Sequence, residues 1–71
     1  MFTSDEIRQL RLSRQIKQEF IAKKMNITKQ RYSNLENHKN LREERVSEIL
    51  AILGYTRETA RNYLDNIPTY L

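Results

Sequence analysis

The sequence predicts an all-α domain, a compact bundle of five short helices, and three observations lead there. One Gly and one Pro in 71 residues are too few for the turns of an all-β domain. Apolar residues recur at the spacing of a helical stripe, most plainly at Val46, Ile49, Leu50 and Leu53. Residues that start and stop helices stand at the ends of these stripes: Ser4, Thr28 and Thr56 as caps, Asn26 and Gly54 as terminators, Pro68 as a stop. A chain of this length makes one small domain, residues 1–71, with a core of marginal size.

The first helix is expected from Asp5 to Arg14, capped by Ser4, with Asp5 and Glu6 at its positive end and Ile7 and Leu10 facing inward. Gln15, Ile16 and Lys17 form a connector, and Ile16 returns to the core. The second helix spans Gln18 to Met25, with Ile21, Ala22 and Met25 on one stripe. Ala22 is small where two crossing helices must come close. Asn26 tolerates the left-handed conformation that ends a helix, and Ile27 plugs the corner. Thr28 caps a third helix from Lys29 to Glu36, whose inward residues are Tyr32 and Leu35. Asn37 to Asn40 make a polar turn. The fourth helix runs from Arg42 to Leu53 and ends at Gly54. The fifth runs from Arg57 to Asn66 behind Thr56, with Ala60, Tyr63, Leu64 and Ile67 on one side.

Composition removes several function classes. There is no Cys, hence no disulfide and no thiolate metal site, which fits a reducing cytoplasm. A single His, His38, cannot build a metal site alone. No apolar run approaches the roughly 20 residues that span a bilayer, and the first residues lack the pattern of a signal peptide. No Ser-His-Asp set or phosphate-cradling Gly loop is present. Glu43 and Glu44 are adjacent on a helix and so point about 100° apart; their place at the positive helix end explains them. Neither an enzyme, a cofactor nor a small-molecule ligand is expected. The charge distribution is more informative. Arg8 to Arg42 hold ten Lys or Arg against Glu19 and Glu36, a net of +8, while each flanking stretch carries −2. Positive charge concentrated around residues 18–37 attracts phosphate and releases counterions when it binds.

The order of these residues resembles the helix-turn-helix domains of lambda-type phage repressors, Cro proteins and the wider Xre-type bacterial regulators. The likeness runs over residues 7–54. It rests on Ile7, Leu10-Arg11, Ile16, Gln18, Ile21-Ala22, Met25, Ile27-Thr28, Leu35-Glu36-Asn37, Lys39, Ile49 and Leu53-Gly54. Residues 18–37 are then the helix-turn-helix motif. The sequence departs from the pattern at Asn26 and His38, where Gly is usual and any other residue is more strained. It departs again at Phe20, often polar, and at Tyr32, usually β-branched. Tyr32 is expected to keep its ring in the core and send its hydroxyl to the surface.

The resemblance implies a lambda-repressor-like fold and a third helix that enters the major groove of double-stranded DNA. Lys29, Gln30, Ser33 and Asn34 then face the bases. Lys donates to guanine, and Gln and Asn pair with adenine. Gln18, Arg31, Asn37, Lys39 and Arg42 are the expected phosphate contacts. Arg11 and Glu36 are expected to pair and tie the first helix to the end of the third. The family usually acts as twofold dimers on near-palindromic sites. The 55–71 segment offers Tyr55, Tyr63, Leu64, Ile67, Tyr70 and Leu71, which serve as a dimer surface, a lid folded back on the core, or both. The leading expectation is a small cytoplasmic, DNA-associated transcriptional regulator of bacterial or phage origin, most simply a repressor. The alternative is a protein-interaction module, an antitoxin or adaptor, that binds a partner protein through Phe20 and the C-terminal Tyr and Leu residues.

Overall fold

A computed structural model describes residues 2–38 and 41–67. The described residues form five helices: α1 (Ser4–Ser13), α2 (Gln18–Met25), α3 (Lys29–Asn37), α4 (Glu43–Leu53) and α5 (Arg57–Asp65). The all-α class expected from the stripes is therefore observed, and most helix ends fall within one residue of expectation. The cap of α1 is a correction. Thr3, not Ser4, accepts from the Glu6 amide (3.1 Å), and the Glu6 carboxylate accepts from the Thr3 amide (3.0 Å). A Glu three residues after Thr3 makes this reciprocal capping box available there and not at Ser4.

The turn between α2 and α3 is built as its residues require. Asn26 adopts φ 61° and ψ 41°, the Ile27 amide donates to the Ala22 carbonyl (2.9 Å), and the Thr28 hydroxyl accepts from the Arg31 amide (3.1 Å). At the other end of α3 the expectation of strain fails. The helix continues through Asn37, and His38 takes φ −81° in extended backbone, so no left-handed residue is needed there. Gly54 closes α4 at φ 84°. Thr56 and Thr59 cap each other at the start of α5. Asn40 and Pro68 lie outside the described residues.

The core gathers the inward residues of all five helices: Ile7, Leu10, Ile21, Ala22, Met25, Tyr32, Val46, Ile49, Leu50, Leu53 and Ala60. Phe2 and Leu41 are buried with them, beyond the stripes read from the sequence. Ile16, Ile27, Leu35, Tyr55 and Leu64 pack around the edge. The radius of gyration is 11.6 Å, against about 11 Å for a well-packed chain of this length. Tyr32 departs from expectation. Its side chain is wholly buried, and its hydroxyl is enclosed without a hydrogen-bond partner. The ring points at the Arg11–Glu36 pair instead of past it, so the hydroxyl never reaches solvent. Burial, and then the neighbouring carboxylate, push its pKa well above the ordinary tyrosine value.

Candidate nucleic-acid interface

A buried ion pair fixes the orientation of α3. Arg11 Nε donates to Glu36 Oε2 (2.6 Å), Arg11 Nη2 to Glu36 Oε1 (3.2 Å) and Arg11 Nη1 to the Ile16 carbonyl (2.8 Å). One guanidinium thus holds both α3 and the connector that leads into α2. Gln18 Nε2 adds a third donor to Glu36 (3.0 Å). Burial opposes ionisation of Glu36, but Arg11 first, then the neighbouring Tyr32 hydroxyl and Gln18, outweigh it and hold its pKa below the usual carboxylate value. The first residue of α2 and the last turn of α3 therefore share one buried anion.

With Tyr32 and Glu36 turned inward, α3 shows its other side to solvent. Lys29, Gln30 and Asn34 are exposed and Ser33 is half-buried. Gln30 Nε2 approaches Asn34 Oδ1 (3.4 Å), which lines the two amides up one turn apart. Two concave basins flank this face. One, of about 430 Å³, lies at the N-terminal end of α3 between Arg11, Lys17, Gln18, Glu19 and Lys29. The other, of about 460 Å³, lies beyond its C-terminal half between Arg31, Leu35, His38, Leu41, Arg42 and Arg45. The expected phosphate residues are thereby divided. Gln18 goes to the first basin, and Arg31 and Arg42 to the second. Asn37 is exposed as the last residue of α3, and Lys39 lies outside the described residues.

Arg45 was missed by the sequence reading. It follows Arg42 by three residues on α4, a spacing that places two cations on one helical face and was available as a signal. Its guanidinium also meets Glu48 (3.1 Å). The segment suspected of forming a dimer surface is largely folded back. The Tyr55 hydroxyl meets Ser13 Oγ (2.7 Å), the Arg14 guanidinium lies 4.1 Å above its ring, and the Tyr63 ring stands 6.3 Å away. Leu64 and Ile67 are half-buried, whereas Tyr63 is exposed. Tyr70 and Leu71 lie outside the described residues. Among the described residues no group of His, Cys, Asp or Glu has the makings of a metal site, and no helix is long and apolar enough to cross a membrane.

A family model described as Helix-turn-helix matches residues 7–59, well over half of the chain. Searches of curated proteins and of solved structures returned no match.

Proposed function

The chain belongs to the Cro/C1-type helix-turn-helix family of DNA-binding regulators, and from that membership we propose that it is a repressor that binds a near-palindromic operator as a homodimer. The observation that carries this reading is the exposed amide-bearing face of α3 between two basins that hold Lys17, Lys29, Arg31, Arg42 and Arg45. In this reading Lys29, Gln30, Ser33 and Asn34 contact base edges, and Gln30 and Asn34 discriminate best because an amide can pair with adenine through two hydrogen bonds. Gln18, Arg31, Asn37, Lys39 and Arg42 grip phosphates and set the register. The buried pair of Arg11 and Glu36 keeps the two sets of contacts in fixed relation. A single small module buries only about 600 to 1,000 Å² on DNA. A second copy supplies the remaining affinity, with the exposed Tyr63 as the leading contact between copies. Binding across a promoter then blocks polymerase.

Selection of bound duplexes from a random pool tests the reading directly. Wild-type protein should enrich one near-palindromic sequence. Asn34→Ala should relax the preference at one base position per half-site, at a cost of about 1 to 3 kcal/mol on the selected duplex. Arg42→Gln should weaken all duplexes alike and reduce the slope of log K against log salt by about one unit per chain. Equal losses on selected and random DNA for Asn34→Ala would remove α3 from base readout.

A further inference from the structure

We propose that the groove on the outer side of α2 is a docking surface for an acidic, partly apolar peptide segment of a partner protein, which excludes DNA where the two meet at Lys17. The groove has a volume of about 440 Å³ and is lined by Gln15, Ile16, Lys17, Glu19, Phe20 and Lys23. Its apolar part comes from Ile16 and Phe20. Phe20 points away from the core stripe of Ile21, Ala22 and Met25 and is 47% exposed. Its wall is rigid. Gln15 is held at φ 57°, and the Ile16 carbonyl accepts from Arg11 (2.8 Å).

The charges around the groove name the partner. Every ion pair among the described residues uses an arginine. Lys17, Lys23 and Lys24 take part in none. Lys24 Nζ instead lies 5.5 Å from the centre of the Phe20 ring. Two unpaired ammonium groups, Lys17 and Lys23, thus line the groove and a third, Lys24, lies against its Phe20 ring, with Glu19 as the one acidic group in the lining. A segment with an aromatic or branched aliphatic anchor fills the floor, and its carboxylates complement the rim. A nucleic-acid strand fits less well. The apolar floor offers nothing to phosphates, and the Lys24 ammonium stands over the Phe20 ring where a base would otherwise stack. Lys17 also lines the basin beside Lys29 and Gln18, so an occupied groove places negative charge where the proposed function puts a phosphate. Docking itself does not depend on that function; only the mutual exclusion does.

Selection of short random peptides on the immobilised full chain tests the inference. Anisotropy titrations of the enriched peptides against wild type and variants then locate the site. The enriched peptides should combine Asp or Glu with an aromatic or branched aliphatic residue. Phe20→Ser should weaken them about tenfold or more, and the Lys17→Gln/Lys23→Gln double variant several-fold. Leu12→Ser, which alters another exposed apolar side chain, on α1 and outside the groove, should leave them within about twofold. The double variant keeps the test decisive if Phe20→Ser fails to fold. No enriched class, peptides without acids, or binding that survives both groove variants would overturn the inference. So would single-stranded DNA that binds in a Phe20-dependent way while peptides do not. Wild-type binding to the selected operator is measured separately. If it is present while peptides fail, only the docking surface is lost. If peptides bind and no duplex does, docking stands and the operator reading falls.

Discussion

Replacing the Glu36 carboxylate by an amide would leave the Arg11 guanidinium inside the protein without its counter-charge, and one of its two bonds to residue 36 would meet an NH2 group that cannot accept. Glu36→Gln should therefore lower stability by on the order of 3 kcal/mol, measured by urea unfolding near neutral pH. The exposed Asp5–Arg8 pair should be worth less than about 1 kcal/mol in the same assay. The pH dependence follows from the same carboxylate. The folded-state pKa of Glu36 lies below its unfolded value, as does that of Glu6, which Arg61 holds down first of all by hydrogen bonding. Stability from both is thus complete above the unfolded carboxylate pKa of about 4.3 and is lost as pH falls through that value toward the lower folded ones. Glu36→Gln should flatten this acid limb, and an unchanged limb would mean that the carboxylate is not held down by its partners. Tyr32 gives the opposite case. Its enclosed hydroxyl has no partner, and an unsatisfied buried hydroxyl costs about 1 to 3 kcal/mol. Tyr32→Phe should raise the urea midpoint, and a lowered midpoint would mean that the hydroxyl is bonded to Glu36. The resemblance gave the Arg11–Glu36 pairing in advance because it depends on residue types at fixed positions. The depth of the Tyr32 hydroxyl was illegible, since helical spacing tells which side a residue faces and not what lies at the end of its side chain.

The helices were legible in the sequence nearly to the residue because their stripes, caps and terminators agree with one another. Asn26 and Gly54 take the left-handed backbone that their types favour. The connector between α1 and α2 was not legible, for a physical reason. Gln15 has no preference for positive φ, yet it sits at 57°. The turn that ends α1 imposes that conformation: the Ile16 amide donates to the Arg11 carbonyl (3.3 Å) and the Gln15 amide to the Leu12 carbonyl (3.0 Å), while the Arg11 side chain holds the Ile16 carbonyl. A left-handed residue with a Cβ costs roughly 1 to 2 kcal/mol. Glycine removes that strain but gives up about 0.5 to 1 kcal/mol in chain entropy. Gln15→Gly should thus stabilise the protein by about 0.5 kcal/mol, a rise of a few degrees in Tm at this size. A drop in Tm would show that the glutamine side chain contributes more than its backbone costs.

Among the described residues, three acidic groups outside the central stretch are occupied by arginines that also lie outside it: Glu43 with Arg57, Glu6 with Arg61 and Glu48 with Arg45. Lys17, Lys29, Arg31 and Arg42 are exposed on the side that carries α3. The concentration of charge between Arg8 and Arg42 was plain from the sequence. Its division into two basins was not, because the second depends on where α4 begins relative to the end of α3. The charge makes salt the sharpest probe of assembly. In the proposed interface each chain places Arg31, Lys39 and Arg42 on phosphates. Each neutralised phosphate contributes about −0.9 to the slope of log K against log salt. One chain on an isolated half-site should give a slope of about −3, and two chains on a near-palindromic site about −6. The two slopes are measured by anisotropy titration of short and full-length duplexes at several salt concentrations. A full site that keeps the half-site slope is bound by one chain, and the homodimer fails while the DNA contacts stand. A half-site slope near zero removes Arg31, Lys39 and Arg42 from the backbone. Doubling of the slope, with its loss on Tyr63→Glu, places the contact between copies on α5.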